Sequence, residues 1–172
     1  MSFTQIKSKS QSERGFTIVE LLIVIVVIGI LAAITIVSYT GITARANTNA
    51  SKGNASTFIK KAELYLNDGT TGRYPAVDTE LTDAANSSKS WYLTGLTVNY
   101  NTTLLTSASS SSTVRVLKCS AVASTSSDTQ AEITGASTGD AKLSGLKVYS
   151  FDYVNNAEVP VNVGNTTNCP AA

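Results

Sequence analysis

The chain of 172 residues has no histidine. The commonest general base and the commonest metal ligand are therefore missing, and a cysteine–histidine nucleophile is excluded. Serines are abundant, but none has a recognisable base beside it. Proline is scarce: it occurs three times, first at Pro75, so no proline interrupts a helix ahead of that point. Charge is scarce too. Lysine and arginine number 13 against 12 acids, a net charge of +1, which gives no bulk electrostatic case for binding nucleic acid or an anionic surface. There is no internal repeat at a fixed period, and no EF-hand spacing that would signal calcium.

The shortage of charge is concentrated near the N-terminus. Between Arg14 and Arg45, Glu20 is the one residue charged at neutral pH, and it stands just inside an apolar run that continues to Val37. Leu21 to Ala44 carries no charge, and roughly 20 apolar residues suffice to span a bilayer as a helix. A carboxylate at membrane depth costs about 2.5–3.5 kcal/mol on insertion scales. Nothing in the run offsets that cost, so Glu20 calls for a partner from elsewhere. A cut after Gly15 would supply one, since the new α-amine of Phe16 is cationic and about one helical turn away. Lys7, Lys9 and Arg14 outweigh Glu13, so the first fifteen residues read as a leader that stays in the cytoplasm while the remainder crosses. Two plainer readings compete. One is a secretory signal peptide, whose apolar region is normally about 7–15 residues, cut at Ala44-Arg45-Ala46. The other is an uncut signal anchor. The mature N-terminus separates the three: Phe16, Asn47 or Met1.

Gly15-Phe16-Thr17-Ile18-Val19-Glu20-Leu21-Leu22 resembles the cleavage and methylation site of a type IV pilin precursor. The resemblance is close from Arg14 to about Ala46. It extends loosely through Tyr65-Leu66-Asn67-Asp68-Gly69 to Tyr74-Pro75. It implies cleavage after Gly15 by a prepilin peptidase that tolerates little but glycine or alanine there, and methylation of the new N-terminal Phe16. It also implies a role for Glu20 in registering each subunit against its neighbour in a filament. The partners implied are further copies of the chain in a helical filament, the prepilin peptidase, an inner-membrane assembly platform, and membrane lipid before assembly. No cofactor, metal or small-molecule substrate is expected.

The apolar segment continues into a helix that ends near Asn67-Asp68-Gly69, with Gly69 free to adopt a left-handed conformation. From Phe16 to Asn67 such a helix would be about 78 Å long, of which a bilayer core takes about 30 Å. From Ala55 onward, Ala55, Phe58, Ile59, Ala62, Tyr65 and Leu66 fall at spacings of three and four, so one face can pack. Gly29, Gly41 and Gly53 each cost about 0.8–1 kcal/mol relative to alanine. They serve either close helix packing or local melting on assembly. Pilins often carry a proline in this half of the helix and this chain has none, so Gly29, Gly41 and the weak stretch from Ile34 to Ile42 are the candidate melting positions.

Past Gly69 the pattern turns to loops and strands. Trp91-Tyr92-Leu93 and Leu96 to Tyr100 read as a strand pair around Gly95. Thr106 to Thr113 reads as a flexible Ser/Thr loop. Val114 to Cys119 and Leu146 to Val154 read as strands, Asn155 to Glu158 as a turn, and Val159 to Val163 as a returning strand. The expected fold is α+β: a long N-terminal helical spine, transmembrane in its first half, packed against a small antiparallel β-sheet head, as in pilins. The expected organisation is a leader at 1–15, a membrane and filament-core half-helix at 16–44, an outer amphipathic half at 45–68, and a β-rich head at 69–172.

Cys119 and Cys169 are expected to form a disulfide, because exported chains commonly oxidise such pairs and pilins often close their C-terminal region with one. The alternative is two buried thiols. Asp78, Glu80 and Asp83 read as a solvated acidic loop, with calcium binding second, and so do Asp152, Asn155, Asn156 and Glu158. Asn54, Asn86, Asn101 and Asn165 each begin an N-x-S/T triplet, a weak pattern in a chain this rich in serine and threonine.

Three functional classes follow. The first is a structural filament subunit, stored in the inner membrane and displayed at the cell surface after assembly. The second is a minor pilin or a secretion or competence pseudopilin with an adhesive or DNA-contacting role. For that role Lys60, Lys61, Arg73, Lys89, Arg115, Lys118, Lys142 and Lys147 supply scattered charge but no basic stripe. The third, a membrane-anchored enzyme or binding protein, is disfavoured by the missing histidine and motifs.

Overall fold

The computed structural model describes residues 15–68, 72–100, 103–120, 143–167 and 169. The leader before Gly15, the expected stop at Gly69, Asn101 and Lys142 lie outside the described residues. Helix α1 runs Ile18–Asn67. It is followed by a short helix α2 (Thr79–Thr82), a 3-10 turn (Ala84–Asn86), and strands β1 (Thr97–Asn99), β2 (Thr113–Ser120), β3 (Leu143–Asp152) and β4 (Ala157–Gly164). The chain is α+β with a pilin-like order of elements. It divides into two units, residues 1–40 and 41–172.

In the first unit every residue from 15 to 40 is exposed. An 18-residue window of α1 reaches a mean hydropathy of 3.2 with none of it buried. A helix that apolar and that uncovered among the described residues is long enough to cross a membrane.

In the second unit one face of α1 is buried at Thr48, Ser51, Ala55, Phe58, Ala62 and Tyr65. These positions alternate in steps of three and four, the spacing that holds one helical face against a partner. Ile59 and Leu66 flank them, half-buried. The partner is the sheet, ordered β1-β2-β3-β4. Val114 and Val116 of β2, Leu146 and Val148 of β3 and Val163 of β4 share one core with Ala55, Phe58 and Ala62. Register places Arg115 opposite Tyr149 and Leu117 opposite Lys147, on the other face by strand alternation. There Leu117, Tyr149, Phe151 and Leu105 form a second cluster.

β2, β3 and β4 are antiparallel as expected. Two details of the head differ from the sequence reading. β1 joins parallel to β2, Thr97 opposite Thr113 and Asn99 opposite Arg115, so the two strands are related by a crossover and not by a hairpin. Trp91 to Leu93 is not a strand. Leu93 donates its N–H to the Leu81 carbonyl at 2.8 Å, so that backbone is satisfied by α2, while Trp91 and Leu93 are buried as core side chains.

The Ser/Thr loop expected to be flexible is tied down at several points. Asn54 Nδ2 donates to the Ser111 carbonyl at 2.9 Å, and the Tyr153 hydroxyl donates to the Ser109 carbonyl. Leu105 N–H donates to Glu158 Oε1 at 2.7 Å. The β3–β4 turn falls at residues 153–156, with Asn156 in the left-handed region at φ 51°. β4 ends at Gly164, where φ is 69° and a Cβ would fall 2.5 Å from the Ser144 carbonyl oxygen, so no side chain fits.

Candidate functional site

Phe16, the residue after the expected cut, is 92% exposed. Two residues further on α1 begins, and Thr17 is its N-cap. The Thr17 N–H and the Thr17 hydroxyl both donate to Glu20 Oε2, each at 2.8 Å. In return the Glu20 N–H donates to Thr17 Oγ1 at 3.2 Å. The Leu21 N–H closes the first helical bond on the Thr17 carbonyl at 3.2 Å. This is a capping box: the hydroxyl and the carboxylate each satisfy a backbone donor that the helix start leaves open. Glu20 also lies in the first turn, where the helix dipole favours an anion.

The expectation that nothing in the run offsets the cost of the Glu20 carboxylate therefore needs correcting. Thr17 supplies two hydrogen bonds to it. The T-x-x-E spacing that signals this was in plain view from Thr17 to Glu20. Both bonds fall on one oxygen; among the described residues no donor reaches Oε1. Beside the carboxylate, Phe16, Leu21, Ile23 and Val24 line an open groove of about 540 Å3 whose surface is almost wholly apolar.

The other residues singled out in the sequence take separate places. Gly15 precedes the helix, and Gly29 and Gly41 lie within it, each with open space where a side chain would project. Around Gly41 the hydroxyls of Thr35, Ser38 and Thr40 donate to the carbonyls of Ala32, Ile34 and Val37 at 2.9–3.0 Å. That back-bonding competes with the helical ladder and weakens it locally. Cys119 and Cys169 are joined by a disulfide, with Cα atoms 4.2 Å apart.

Of the acidic groups weighed for calcium, Glu80, Asp83, Asp152 and Glu158 are engaged by protein donors. Glu80 takes both ends of the Arg73 guanidinium, at 2.5 and 3.2 Å, and the Ala76 N–H at 2.5 Å. Asp83 accepts from Ala85 N–H at 2.9 Å. Asp152 accepts from Val154 N–H and Asn155 Nδ2, both at 2.9 Å, and Glu158 pairs with Arg115. Among the described residues no cluster of three metal-ligating side chains occurs.

Three of the basic residues weighed for DNA contact are withdrawn from the surface. Arg73, Arg115 and Lys118 are buried. Arg115 stacks on the Tyr149 ring with Cζ 3.9 Å from its centroid, and Lys118 lies 6.0 Å from the Tyr100 centroid. Burial pushes the Lys118 ammonium down to about 8, with Glu80 acting weakly the other way. Lys61 donates to the Ser90 carbonyl at 2.5 Å, and Lys89 pairs with Asp68 at 3.4 Å.

Comparison with known proteins adds to the N-terminal geometry. The family described as the prokaryotic N-terminal methylation motif matches residues 10–36, a span that contains Gly15, Phe16, Thr17 and Glu20. The N-terminus carries a prepilin-type methylation motif. Two proteins of Pseudomonas aeruginosa, each called fimbrial protein, are 39% identical to the chain over 59 residues. That stretch is 34% of this chain and 38% of each relative, so the likeness spans well under half of either. No solved structure matches. The prepilin-type segment and the exposed apolar helix fit membrane anchoring, and the fold of the remaining chain is described above on its own coordinates.

Proposed function

We propose that this chain is a structural, non-enzymatic subunit of a type IV pilus-like filament. Residues 1–15 form a leader. A prepilin peptidase removes it after Gly15 and methylates the new N-terminal Phe16. Before assembly the precursor lies in the inner membrane as a single-pass protein with its leader in the cytoplasm. Residues 16–44 then become the apolar core of the filament, 45–68 the outer half of the spine, and 69–172 the displayed head. Glu20 pairs with the cationic N-terminus of a neighbouring copy and sets the register.

The observation that supports this reading best is the lone carboxylate. It stands four positions after Phe16 within the matched motif, at the start of a helix whose described N-terminal half buries nothing. An uncovered apolar helix needs lipid or other copies of itself, and a single acid in it needs a cation. The DNA-contacting alternative loses support from the burial of Arg73, Arg115 and Lys118.

Terminal sequencing and mass analysis of material sheared from cells is the test. A methylated Phe16 start in filamentous material is expected. A Met1 start would overturn the reading in favour of a signal anchor, and an Asn47 start in favour of a secreted protein.

A further inference from the structure

The asparagines that begin N-x-S/T triplets stand in different surroundings. Asn54 lies within α1, half-buried, and its Nδ2 donates to the Ser111 carbonyl at 2.9 Å. Asn86 closes the 3-10 turn, also half-buried, with its Nδ2 toward the Glu80 carbonyl at 3.4 Å. Asn101 lies outside the described residues. Asn165 follows β4 directly and is exposed. Its backbone is docked on β3: the N–H donates to the Ser144 carbonyl at 3.0 Å, and the Ser144 hydroxyl donates to the Asn165 carbonyl at 3.3 Å. Its side chain is held at one end. The Thr167 hydroxyl donates to Oδ1 at 2.8 Å and the Thr167 N–H at 3.1 Å, and among the described residues Nδ2 donates to nothing. The hydroxyl that the triplet requires at its third position thus sits on the amide oxygen, and the amide nitrogen is left unengaged.

We propose that Asn165 is a glycosylation site, its Nδ2 accepting a sugar that is carried as a diphosphate ester at the anomeric carbon. A carboxamide nitrogen is a weak nucleophile, because its lone pair is shared with the carbonyl as in a peptide. Hydrogen bonds to Oδ1 favour the oxygen-charged form that the amide takes as Nδ2 gives up a proton, and in that form the nitrogen attacks. The Nδ2–C bond forms as the C–O bond to the diphosphate breaks. The electron pair of the broken bond leaves on the diphosphate, one Nδ2 proton passes to a base of the transferase, and nothing is oxidised or reduced. A sugar at this exposed position displaces no hydrogen bond of Nδ2, whereas on Asn54 it would meet the Ser111 carbonyl 2.9 Å away. A bulky polar group of this kind belongs on the surface.

The test is peptide mass analysis of the full chain taken from the cells that produce it. The peptide holding Asn165 should carry a sugar mass that survives mild alkali, a treatment that strips sugars from serine and threonine. Asn165→Gln should abolish the addition. Thr167→Val should abolish it too, and Thr167→Ser should keep it. Both positions are exposed, and thermal unfolding of each variant checks that the head is intact. An unmodified Asn165 peptide in the parent overturns the proposal, and so does full addition in Thr167→Val. Addition to Asn54 or Asn86 at the level of Asn165 overturns the selection by exposure. Two carriers supply such a sugar, a membrane lipid or a nucleotide. Val26→Arg with Ile28→Arg places two charges at membrane depth and keeps the chain from crossing. Loss of the addition there assigns the lipid carrier, acting outside the cytoplasm, and persistence assigns the nucleotide. The Asn165 mass is read whether or not the chain assembles, so this site and the filament reading fail separately.

Discussion

The N–H of Tyr153 donates a hydrogen bond to Thr48 Oγ1 at 2.9 Å, across 105 positions of sequence. The same hydroxyl lies 3.2 Å from Asp152 Oδ1, and one turn on, Ser51 Oγ accepts the Phe151 N–H at 2.9 Å. The end of β3 is thus fastened to α1 by hydroxyls. Thr48→Val keeps the shape and removes the acceptor, leaving the Tyr153 N–H without its partner. Such losses cost about 1–2 kcal/mol. Urea unfolding of the detergent-solubilised chain should show that loss, with Thr48→Ser close to the parent.

The disulfide closes a loop with a sequence separation of 50. In the chain-entropy model a cross-link of that length is worth about 4 kcal/mol. Cys119 is fully buried, so replacement by alanine also leaves a small void. The Cys119→Ala, Cys169→Ala double variant should lose about 4 kcal/mol of head stability under oxidising conditions. Under reducing conditions its unfolding midpoint should come close to that of the parent, lower only by the small cost of the void at position 119.

Arg115 on β2 and Glu158 on β4 pair through two bonds, Nε at 2.8 Å and Nη2, passing over the Tyr149 ring of β3 between them. The Arg115 side chain is 0% exposed and that of Glu158 11%. Removing one partner of such a pair strands the other charge. Glu158→Ala should therefore cost about 3–5 kcal/mol and also free the Leu105 N–H it accepts. Arg115→Met with Glu158→Leu should recover most of that loss, because an apolar pair needs no desolvated charge. Thermal unfolding of the three proteins decides the point.

How much of this was legible beforehand differs by region. The N-terminus was, because Gly15, Phe16, Glu20 and an uncharged run are local signals. So were β2, β3 and β4, whose alternation survives in single segments such as Val114 to Cys119. The capping box was readable too but passed over, since Thr17 next to an apolar run reads as one more small residue. Thr48 and Ser51 were not legible. Their hydroxyls look like solvated helix positions until the end of β3 arrives from a hundred residues away. The same holds for Arg115 and Lys118, which look like surface charge and are buried. The parallel β1 was missed because a three-residue strand has almost no pattern, and its direction is set by the crossover rather than by its side chains.

Three titrations give the head a pH profile. Asp152 is held below the ordinary carboxylate range, first by the Asn155 side chain and then by backbone N–H groups. Burial raises Glu80, but the Arg73 bond and the Ala76 N–H outweigh it, so it too ends below that range. A carboxyl whose folded pKa is depressed binds fewer protons folded than unfolded. Its contribution is present above the unfolded value, about 4, and is lost as pH falls through the folded one. Lys118, down at about 8, acts at the other end. Between about 8 and its unfolded value near 10.4 the unfolded state binds the extra proton, so stability rises with pH there. The unfolding temperature should stay level from pH 7 to about 5 and drop below about 4. Lys118→Met should abolish the rise above pH 8, and a parent without that rise would contradict the assignment.

Glu20→Ala separates two consequences of one carboxylate. The change removes a group that costs about 2.5–3.5 kcal/mol at membrane depth, so the precursor should insert at least as well as the parent. It also removes the Oε2 that accepts both Thr17 bonds, which frays the helix start by about 1 kcal/mol, a loss confined to one turn. Neither effect touches the head, whose core begins at Thr48. Membrane content and head unfolding should therefore match the parent, while sheared filament falls to a few per cent or less if each of many subunit contacts loses its ion pair. Glu20→Asp shortens the side chain by one methylene and should assemble in part. Parental filament yield from Glu20→Ala would show that register is set elsewhere along α1.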